Sequence, residues 1–335
     1  MFFSSIDQVK EFLGLSVSVK LDVLKPILET VDRNYIKPVI GPAMFSELQE
    51  YFDADMPRET ESQLAMFELL KLAQACEINL AYWTGFDVLN TTIMADGFKR
   101  TETATIKGLF KYQEDNLKDY FKTSGFNLCD SMLDLMDGEL RSNFAEFHSS
   151  DIAKANASMF IPSTAIFNSL YFIGSSRLIF TRLIPYMRVI EDLKLKQLIG
   201  KSIYDYMKIE LAKVSDPEIE NSGPSAKALA LLPYIRLPLV YFSTAMLMQE
   251  TGAELSDKGL FFESITSNLQ DHSNKTPALQ ERIFAMIKRN NELGESYFAL
   301  LRNYLIENTT NWDNFTAPLT GRFSRDNTDK RTFFA

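Results

Sequence analysis

The sequence predicts a mainly all-α fold of two tandem helical bundles, each with a short extended or hairpin segment. Lys37, Ile40 and Gly41 recur as a set 159 residues later, and Pro26 recurs as Pro185 at the same offset. The predicted elements also follow the same order in both halves, which chance identities would not preserve. Of the 335 residues, 46% are apolar, which is enough to bury two cores.

The first half opens with two helices whose limits are set by polar, glycine and proline residues. A capping box at Ser5–Gln8 begins a short helix, and Gly14 suits its end. A longer helix carries an apolar stripe at three- and four-residue steps through residues 24–35, so we expect this face in the core. Gly41 is predicted to end this helix and Pro42 to begin the next one.

The rest of the first half predicts one central helix, a hairpin and a closing helical pair. A second capping box at residues 60–63 opens a helix over 64–88 that is apolar on most faces and therefore central. Asp96-Gly97 predicts a tight turn in an otherwise non-helical stretch. An amphipathic helix is predicted over about 105–123, with a shorter one over 129–136.

The second half repeats this order. A short helix at 163–170 precedes a long helix that ends at Gly200. A continuously apolar helix over 226–249 follows, then an irregular stretch near Asp257–Gly259 and a long amphipathic helix over about 277–307. Although the apolar helix approaches the length of a membrane span, a charged residue near its centre favours a buried core helix.

These patterns divide the chain into four parts. Residues 1–145 and 163–308 are predicted to be helical units, and the polar segment 146–162 is predicted to link them. Residues 309–335 lose helical periodicity and are predicted to be an extended or disordered C-terminal arm. Isolated aromatics in this arm are candidate interaction residues, because each would otherwise expose apolar surface. They are Trp312, Phe315, Phe323, Phe333 and Phe334.

The net charge and the lack of a signal-peptide pattern limit the classes of partner that we expect. The formal net charge of −9 disfavours nucleic-acid binding through the overall field, and we expect no sequence-specific nucleic-acid partner. The start of the chain lacks the basic and apolar regions of a signal peptide, and no membrane partner is expected. Cys76 and Cys129, the two cysteines, form no disulfide framework or zinc spacing, and Cys76 is predicted to be a small buried apolar residue.

The residue inventory predicts no enzyme, cofactor, metal or small-molecule substrate. His148 and His272 are the only histidines, and both are interpreted as solvated surface residues. The chain contains neither a metal-ligand spacing nor a glycine-rich phosphate loop. Several carboxylates between Asp130 and Glu139 could attract a cation, but a solvated helix face is the favoured interpretation.

Two stretches of the first half resemble the head–tail connector (adaptor) proteins of tailed bacteriophages. Those proteins open with a short helix like Ile6–Leu13 and continue through a long helix to a stretch like Tyr35–Gly41. The chain is also similar to duplicated proteins of unknown function in phages and prophages of gut Bacteroidales, a likeness carried in the second half by Ile166–Asn168 and Lys196–Gly200. The resemblance implies an α-helical, non-enzymatic subunit of a ring below the portal.

The expected function is therefore that of a virion structural protein of the neck. Its expected partners are further copies of itself in a ring-like homo-oligomer and other virion proteins such as portal and tail. Its expected location is the virion, with the bacterial cytoplasm during assembly. A cellular helical scaffold or binding module without catalytic activity is the alternative, and an enzyme of unknown type is a third hypothesis.

Overall fold

The computed structural model describes residues 1–13, 20–54, 58–94, 97–99, 109–213, 224–251, 254–256, 259–261, 280–308 and 312. Over these residues the protein is all-α, as predicted, with two short antiparallel hairpins. Buried apolar side chains form two separate cores, one drawn from residues 2–153 and the other from residues 159–312. We refer to the two halves as the first and second units.

The first unit is built around one buried helix that packs against the last long helix of the unit. That central helix, α5, is buried on most of its faces, as predicted. The elements in chain order are α1 (Ile6–Leu13), α2 (Leu21–Val31), a π-helical turn (Asp32–Ile36), α3 (Lys37–Ile40), α4 (Pro42–Asp53), α5 (Glu61–Thr84), α6 (Phe86–Leu89), β1 (Thr92–Met94), β2 (Gly97–Lys99) and α7 (Lys111–Asp137).

Two short helices, α8 (Ala145–Ser149) and α9 (Asp151–Ala157), lead into the second unit. In that unit the apolar helix α14 takes the central place and packs against both α11 and α15. The elements are α10 (Thr164–Leu170), α11 (Arg177–Ile190), a π-helical turn (Glu191–Leu195), α12 (Lys196–Ile199), α13 (Lys201–Ala212), α14 (Ala226–Thr251), β3 (Glu254–Ser256), β4 (Gly259–Phe261) and α15 (Gln280–Glu307).

Each unit contains a short hairpin where the sequence predicted an extended or hairpin segment, although Gly97, predicted to lie in the turn, is the first residue of β2. Met94 pairs with Gly97 in the first unit, and Ser256 pairs with Gly259 in the second, so each connection is two residues long. Such short connections join adjacent antiparallel strands. The connecting residues 95–96 and 257–258 lie outside the described residues.

The predicted helix limits are largely confirmed. Thr60 and Gln63 form a reciprocal capping box at the start of α5. At α1 the Gln8 N–H donates to Ser5 Oγ, but the Gln8 side chain accepts from the Ser4 N–H instead of completing the box at Ser5. Gly41 has a φ of +86°, a conformation that glycine adopts without strain, and ends α3. Gly14 lies outside the described residues.

A feature that the sequence analysis missed is the π-helical turn in each unit. Core positions advance by three or four residues along α2, but the step from Val31 to Ile36 is five. The second unit has the same five-residue step, from Ile190 to Leu195. A π turn absorbs one extra residue, so both buried stripes stay on the core face across this step.

The closing helical pair predicted for the first unit is one continuous helix. α7 runs unbroken from Lys111 to Asp137, because Gly125 in its middle serves packing and does not end the helix. A Cβ atom on Gly125 would lie 2.5 Å from Leu80 Cδ2, so the absent side chain lets α7 approach α5 closely. Gly294 plays the same part in α15, against the ring of Phe242.

The apolar helix α14 is the only helix in the described part of the chain with the length and hydropathy of a membrane span. Leu231, Ile235, Leu239 and Phe242 are nevertheless buried in the second core. Arg236, near the centre of α14, donates from Nε to the carbonyl oxygen of Phe160 at 2.7 Å. These contacts support the predicted core helix.

Candidate functional site

The first candidate site is the aromatic arm. Trp312 is buried in the second core, with its ring 5.7 Å from that of Tyr206 and 4.1 Å from Lys227 Nζ. Its indole Nε1 has no hydrogen-bond partner among the described residues. Trp312 thus packs on its own unit. The other four arm residues lie outside the described residues, so the interaction role of the arm stays a prediction. They are Phe315, Phe323, Phe333 and Phe334.

A second site lies at the π-helical turn of the first unit, where a buried carboxylate meets the amino terminus. Asp32 is the first residue of the turn, and its Oδ2 lies 2.5 Å from the α-ammonium nitrogen of Met1. Gln49 Oε1 accepts a further hydrogen bond from this nitrogen at 3.2 Å. Phe2 and Phe3, which follow, are fully buried in the first core. The ion pair therefore holds the start of the unit on its bundle.

Glu77, on α5, is the second buried acid of this site. It accepts a hydrogen bond from the Phe2 N–H at 3.0 Å, while Gln74 Nε2 donates to the Phe2 carbonyl oxygen at 2.6 Å. Burial, followed by the negative charge of Asp32, raises the pKa of Glu77 well above its usual range. Burial also raises the pKa of Asp32, although the Met1 ammonium group opposes this shift.

The two acids leave one oxygen each without a donor. Among the described residues, neither Asp32 Oδ1 nor Glu77 Oε1 has a hydrogen-bond partner. A buried acceptor without a donor is costly, and two acids in one site favour holding a proton. Burial and the charge of the neighbouring acid thus both disfavour a second negative charge at this site, in agreement with the raised pKa values of Asp32 and Glu77.

The second unit has an equivalent site with a different cation. Glu191 is the first residue of its π-helical turn, 159 residues after Asp32, and it is also buried. Lys208 Nζ lies 2.6 Å from Glu191 Oε2 and donates to the carbonyl oxygen of Ser158 at 2.8 Å. The hydroxyl of Tyr204 donates to the same carboxylate at 3.1 Å. Burial and the charge of Glu191 raise the pKa of Tyr204, so it stays a donor.

The two sites differ in the source of their cation. The cation beside Asp32 is the Met1 ammonium group, whereas at the equivalent point of the second unit Met159 contributes no charge. Lys208 supplies the missing cation, at the position that Gln49 occupies in the first unit. Arg236 is at the position equivalent to Glu77. It donates to the carbonyl oxygen of Phe160, whereas Glu77 accepts from the N–H of Phe2. Both sites anchor the start of a unit, by different donors and acceptors.

The contact between the units is partly polar. Arg177, at the start of α11, donates from Nη1 to Asp130 Oδ1 on α7 at 3.0 Å, and Thr164 also faces this carboxylate. Burial raises the pKa of Asp130, although Arg177 opposes this shift. Asp130 is thus a partner of the second unit, whereas the sequence analysis placed it on a solvated face. No cluster of possible metal ligands occurs among the described residues.

His148 was wrongly interpreted as a solvated residue. It is buried on α8, where its Nε2 lies 2.9 Å from the carbonyl oxygen of Met136, and burial lowers its pKa. His272 lies outside the described residues. The prediction for Cys76 is confirmed, because it is fully buried, with its sulfur 3.5 Å from that of Cys129. The hydrogen bond with Cys129 and burial raise the pKa of the Cys76 thiol, which disfavours a reactive thiolate.

The long helices α7 and α15 expose apolar side chains along their first halves. Within the described residues, Phe110, Tyr112, Tyr120 and Phe284 are each more than half exposed. The rings of Phe110 and Tyr112 stack with centroids 5.9 Å apart. Phe284 also borders a shallow groove with Ile287 on α15. Exposed aromatic groups of this kind are typical of contact surfaces.

Comparison with known families supports the duplication. The model of DUF6712, described as a family of unknown function, matches residues 36–157 and matches again over residues 195–325. The two matches include the π-helical turn residue Ile36 in the first unit and Leu195 in the second. Neither a curated protein nor a solved structure matches the chain.

Proposed function

Because the chain belongs to the DUF6712 family, whose function is unknown, we propose a function from its architecture. We propose that it is a non-enzymatic virion structural protein, a head–tail connector that assembles with copies of itself and with portal and tail proteins. In this proposal it acts in the virion and is present in the bacterial cytoplasm during assembly. The resemblance of Ile6–Leu13 and Tyr35–Gly41 to phage connectors supports this choice of assembly.

The observation that carries the proposal is the exposed apolar surface on the long helices. Phe110 and Tyr112 at the start of α7 and Phe284 on α15 present rings to solvent in the described part of the chain. Contiguous exposed apolar groups mark sites of protein contact, since leaving them in water is unfavourable. Two like units in one chain therefore supply two contact surfaces of similar position.

The charge of the chain fits a neck protein as well. A ring below the portal surrounds the path of the DNA, and a strongly basic lining would hold the phosphate backbone. The formal net charge of −9 is compatible with a passage that DNA leaves readily.

The proposal is tested by measuring the mass of the full chain in solution and by imaging it in the electron microscope. The matched variant lacks residues 313–335 but keeps Trp312, because Trp312 belongs to the second core. We expect the full chain to form defined oligomers and the shortened chain to form fewer or weaker ones. A full chain that stays monomeric and binds neither portal nor tail proteins would contradict the proposal.

The genes that flank this one discriminate between the proposed function and a cellular scaffold. Neighbours that encode portal, terminase and capsid proteins are expected under the neck assignment. Neighbours of purely cellular function would favour the scaffold hypothesis, because the same exposed surfaces would then serve a cellular partner.

A further inference from the structure

The contact between the two units gives a template for a contact between two chains. In the contact within the chain, the starts of α10 and α11 lie against the middle of α7. Asp130 on α7 is at its centre, with Arg177 and Thr164 facing it from the second unit. The equivalent of Arg177 falls within residues 14–19, which lie outside the described residues, so the comparison uses Asp130 and Thr164.

The equivalent of α7 is α15, at an offset of 169 residues. Four core positions of α7 coincide with core positions of α15 at this offset, including the two close-packed glycines. The pairs are Gly125 and Gly294, Cys129 and Phe298, Met132 and Leu301, and Met136 and Leu305. Asp130 thus corresponds to Ala299.

The face of α15 that corresponds to the interface of α7 is open. Ala299, Asn303 and Ile306 are all exposed in the described part of the chain, and they lie along one side of the helix. On α7, the second unit contacts Asp130 on this side, whereas Asp134 and Asp137, which correspond to Asn303 and Ile306, are exposed. Nothing among the described residues plays that part for α15.

The equivalent of the start of α10 is the start of α1. The two helices have the same serine cap, Ser5 and Ser163, and the same buried fourth position, Val9 and Phe167. At this offset of 158 residues Thr164 corresponds to Ile6, the first residue of α1 and only partly buried.

We infer that the α15 face centred on Ala299 binds the start of α1, around Ile6, in a second copy of this chain. The contact repeats the one within the chain, but its chemistry changes consistently on both sides. Asp130 and Thr164, which are both polar, are replaced by Ala299 and Ile6, which are both apolar. Two apolar groups at matching positions can pack together without burying a polar group.

A contact of this type is head-to-tail. Each chain offers its second unit to the first unit of the next chain, so the interface is heterologous and generates rings or filaments. The inference rests on the proposed self-assembly and assigns one contact within it, separate from the exposed aromatic groups at the starts of α7 and α15.

The test is Ala299→Arg in the full chain, compared with Ile209→Arg by sedimentation velocity. Ile209 is 63% exposed on α13 and lies away from the proposed face, so it controls for adding an arginine to the same unit. We expect Ala299→Arg to weaken association at least tenfold and Ile209→Arg to leave it unchanged. Circular dichroism of both variants checks that the helices persist.

A photoreactive residue at position 299 gives a second measurement that does not depend on a destabilising change. Crosslinks from position 299 to residues 1–13 of another copy would support the inference. Crosslinks to residues 313–335 of the same chain would overturn it. Oligomers that Ala299→Arg leaves intact would overturn the inference but not the proposed function, whereas a wild-type chain that never associates would overturn both.

Discussion

Replacing Lys208 by Gln should destabilise the second unit strongly. Position 208 is equivalent to position 49 of the first unit, which is a glutamine. In the first unit, however, the Met1 ammonium group lies beside Gln49, and the second unit has no such group at this site. Glu191 would stay buried without a cation beside it, next to the neutral Tyr204 hydroxyl and the neutral amide of the new glutamine. The Ser158 carbonyl would also lose its bond to the lysine.

The expected cost follows from the burial of the pair. Breaking a buried ion pair by removing one partner costs about 3–5 kcal/mol, because the other charge is left uncompensated. The Glu191 side chain is 7% exposed, but that of Lys208 is 23% exposed, so water can reach part of the site. We therefore expect a loss near the lower end, about 3 kcal/mol in the free energy of unfolding of the second unit.

The assay uses the fluorescence of Trp312 during denaturant unfolding. The chain has two tryptophans, so a Trp83→Phe background makes Trp312 the single reporter and restricts the signal to the second core. The double variant Lys208→Gln with Glu191→Gln removes both charges and should recover most of the loss. A single variant within about 0.5 kcal/mol of its parent, or a double variant no better than the single one, would refute this reasoning.

Three further changes follow from the same packing. Glu77→Gln should stabilise the first unit by about 1 kcal/mol near neutral pH, since its amide can donate to Asp32. Because folding raises the pKa of Glu77, its protonated side chain stabilises the fold at pH values below the pKa that it has in the unfolded chain. This stabilisation is lost as the pH rises towards the pKa in the folded protein. Glu77→Gln should therefore make the free energy of unfolding depend less on pH between pH 5 and 9. Gly294→Ala should cost about 1–2 kcal/mol in urea unfolding, because the new Cβ would lie 2.8 Å from the ring of Phe242. Trp312→Ala should lower the unfolding free energy by about 3 kcal/mol and reduce the melting temperature in calorimetry.

Exposed positions on the same elements serve as controls. Glu68→Gln on α5 should leave the pH profile unchanged, and Asn291→Ala should not destabilise α15. A Glu77→Gln variant that loses stability as steeply as the wild type when the pH rises would contradict the raised pKa of Glu77. If Gly294→Ala leaves the free energy of unfolding unchanged, α14 and α15 have room to separate. If Trp312→Ala leaves it unchanged, Trp312 lies outside the core in solution.

Most of the fold could be predicted because local signals and tertiary packing agree. The Thr60 cap and Gly41 act within one turn of the chain, so sequence alone identifies them. The glycine in the middle of α7 could not be interpreted in this way. Gly125 has the signature of a helix end, and only its contact with Leu80 on another helix explains why the helix continues.

The anchoring sites were missed because each depends on residues far apart in the chain. No sequence pattern near Asp32 indicates that the Met1 ammonium group contacts it. A charged residue beside an apolar stripe is ordinarily exposed. A signal was nevertheless available. Both units place an acid at the same offset, directly after the residue where the core spacing lengthens to five, and Lys208 replaces Gln49 at the same offset.

The central proposal is that tandem units assemble into a ring that joins portal to tail. Electron microscopy of the full chain mixed with phage portal and tail proteins tests this most directly. The account predicts a ring on the portal in which the first and second units alternate around the circumference, joined through α15 and α1. Bare portal particles, with the chain sedimenting as a 38.3 kDa monomer, would contradict it.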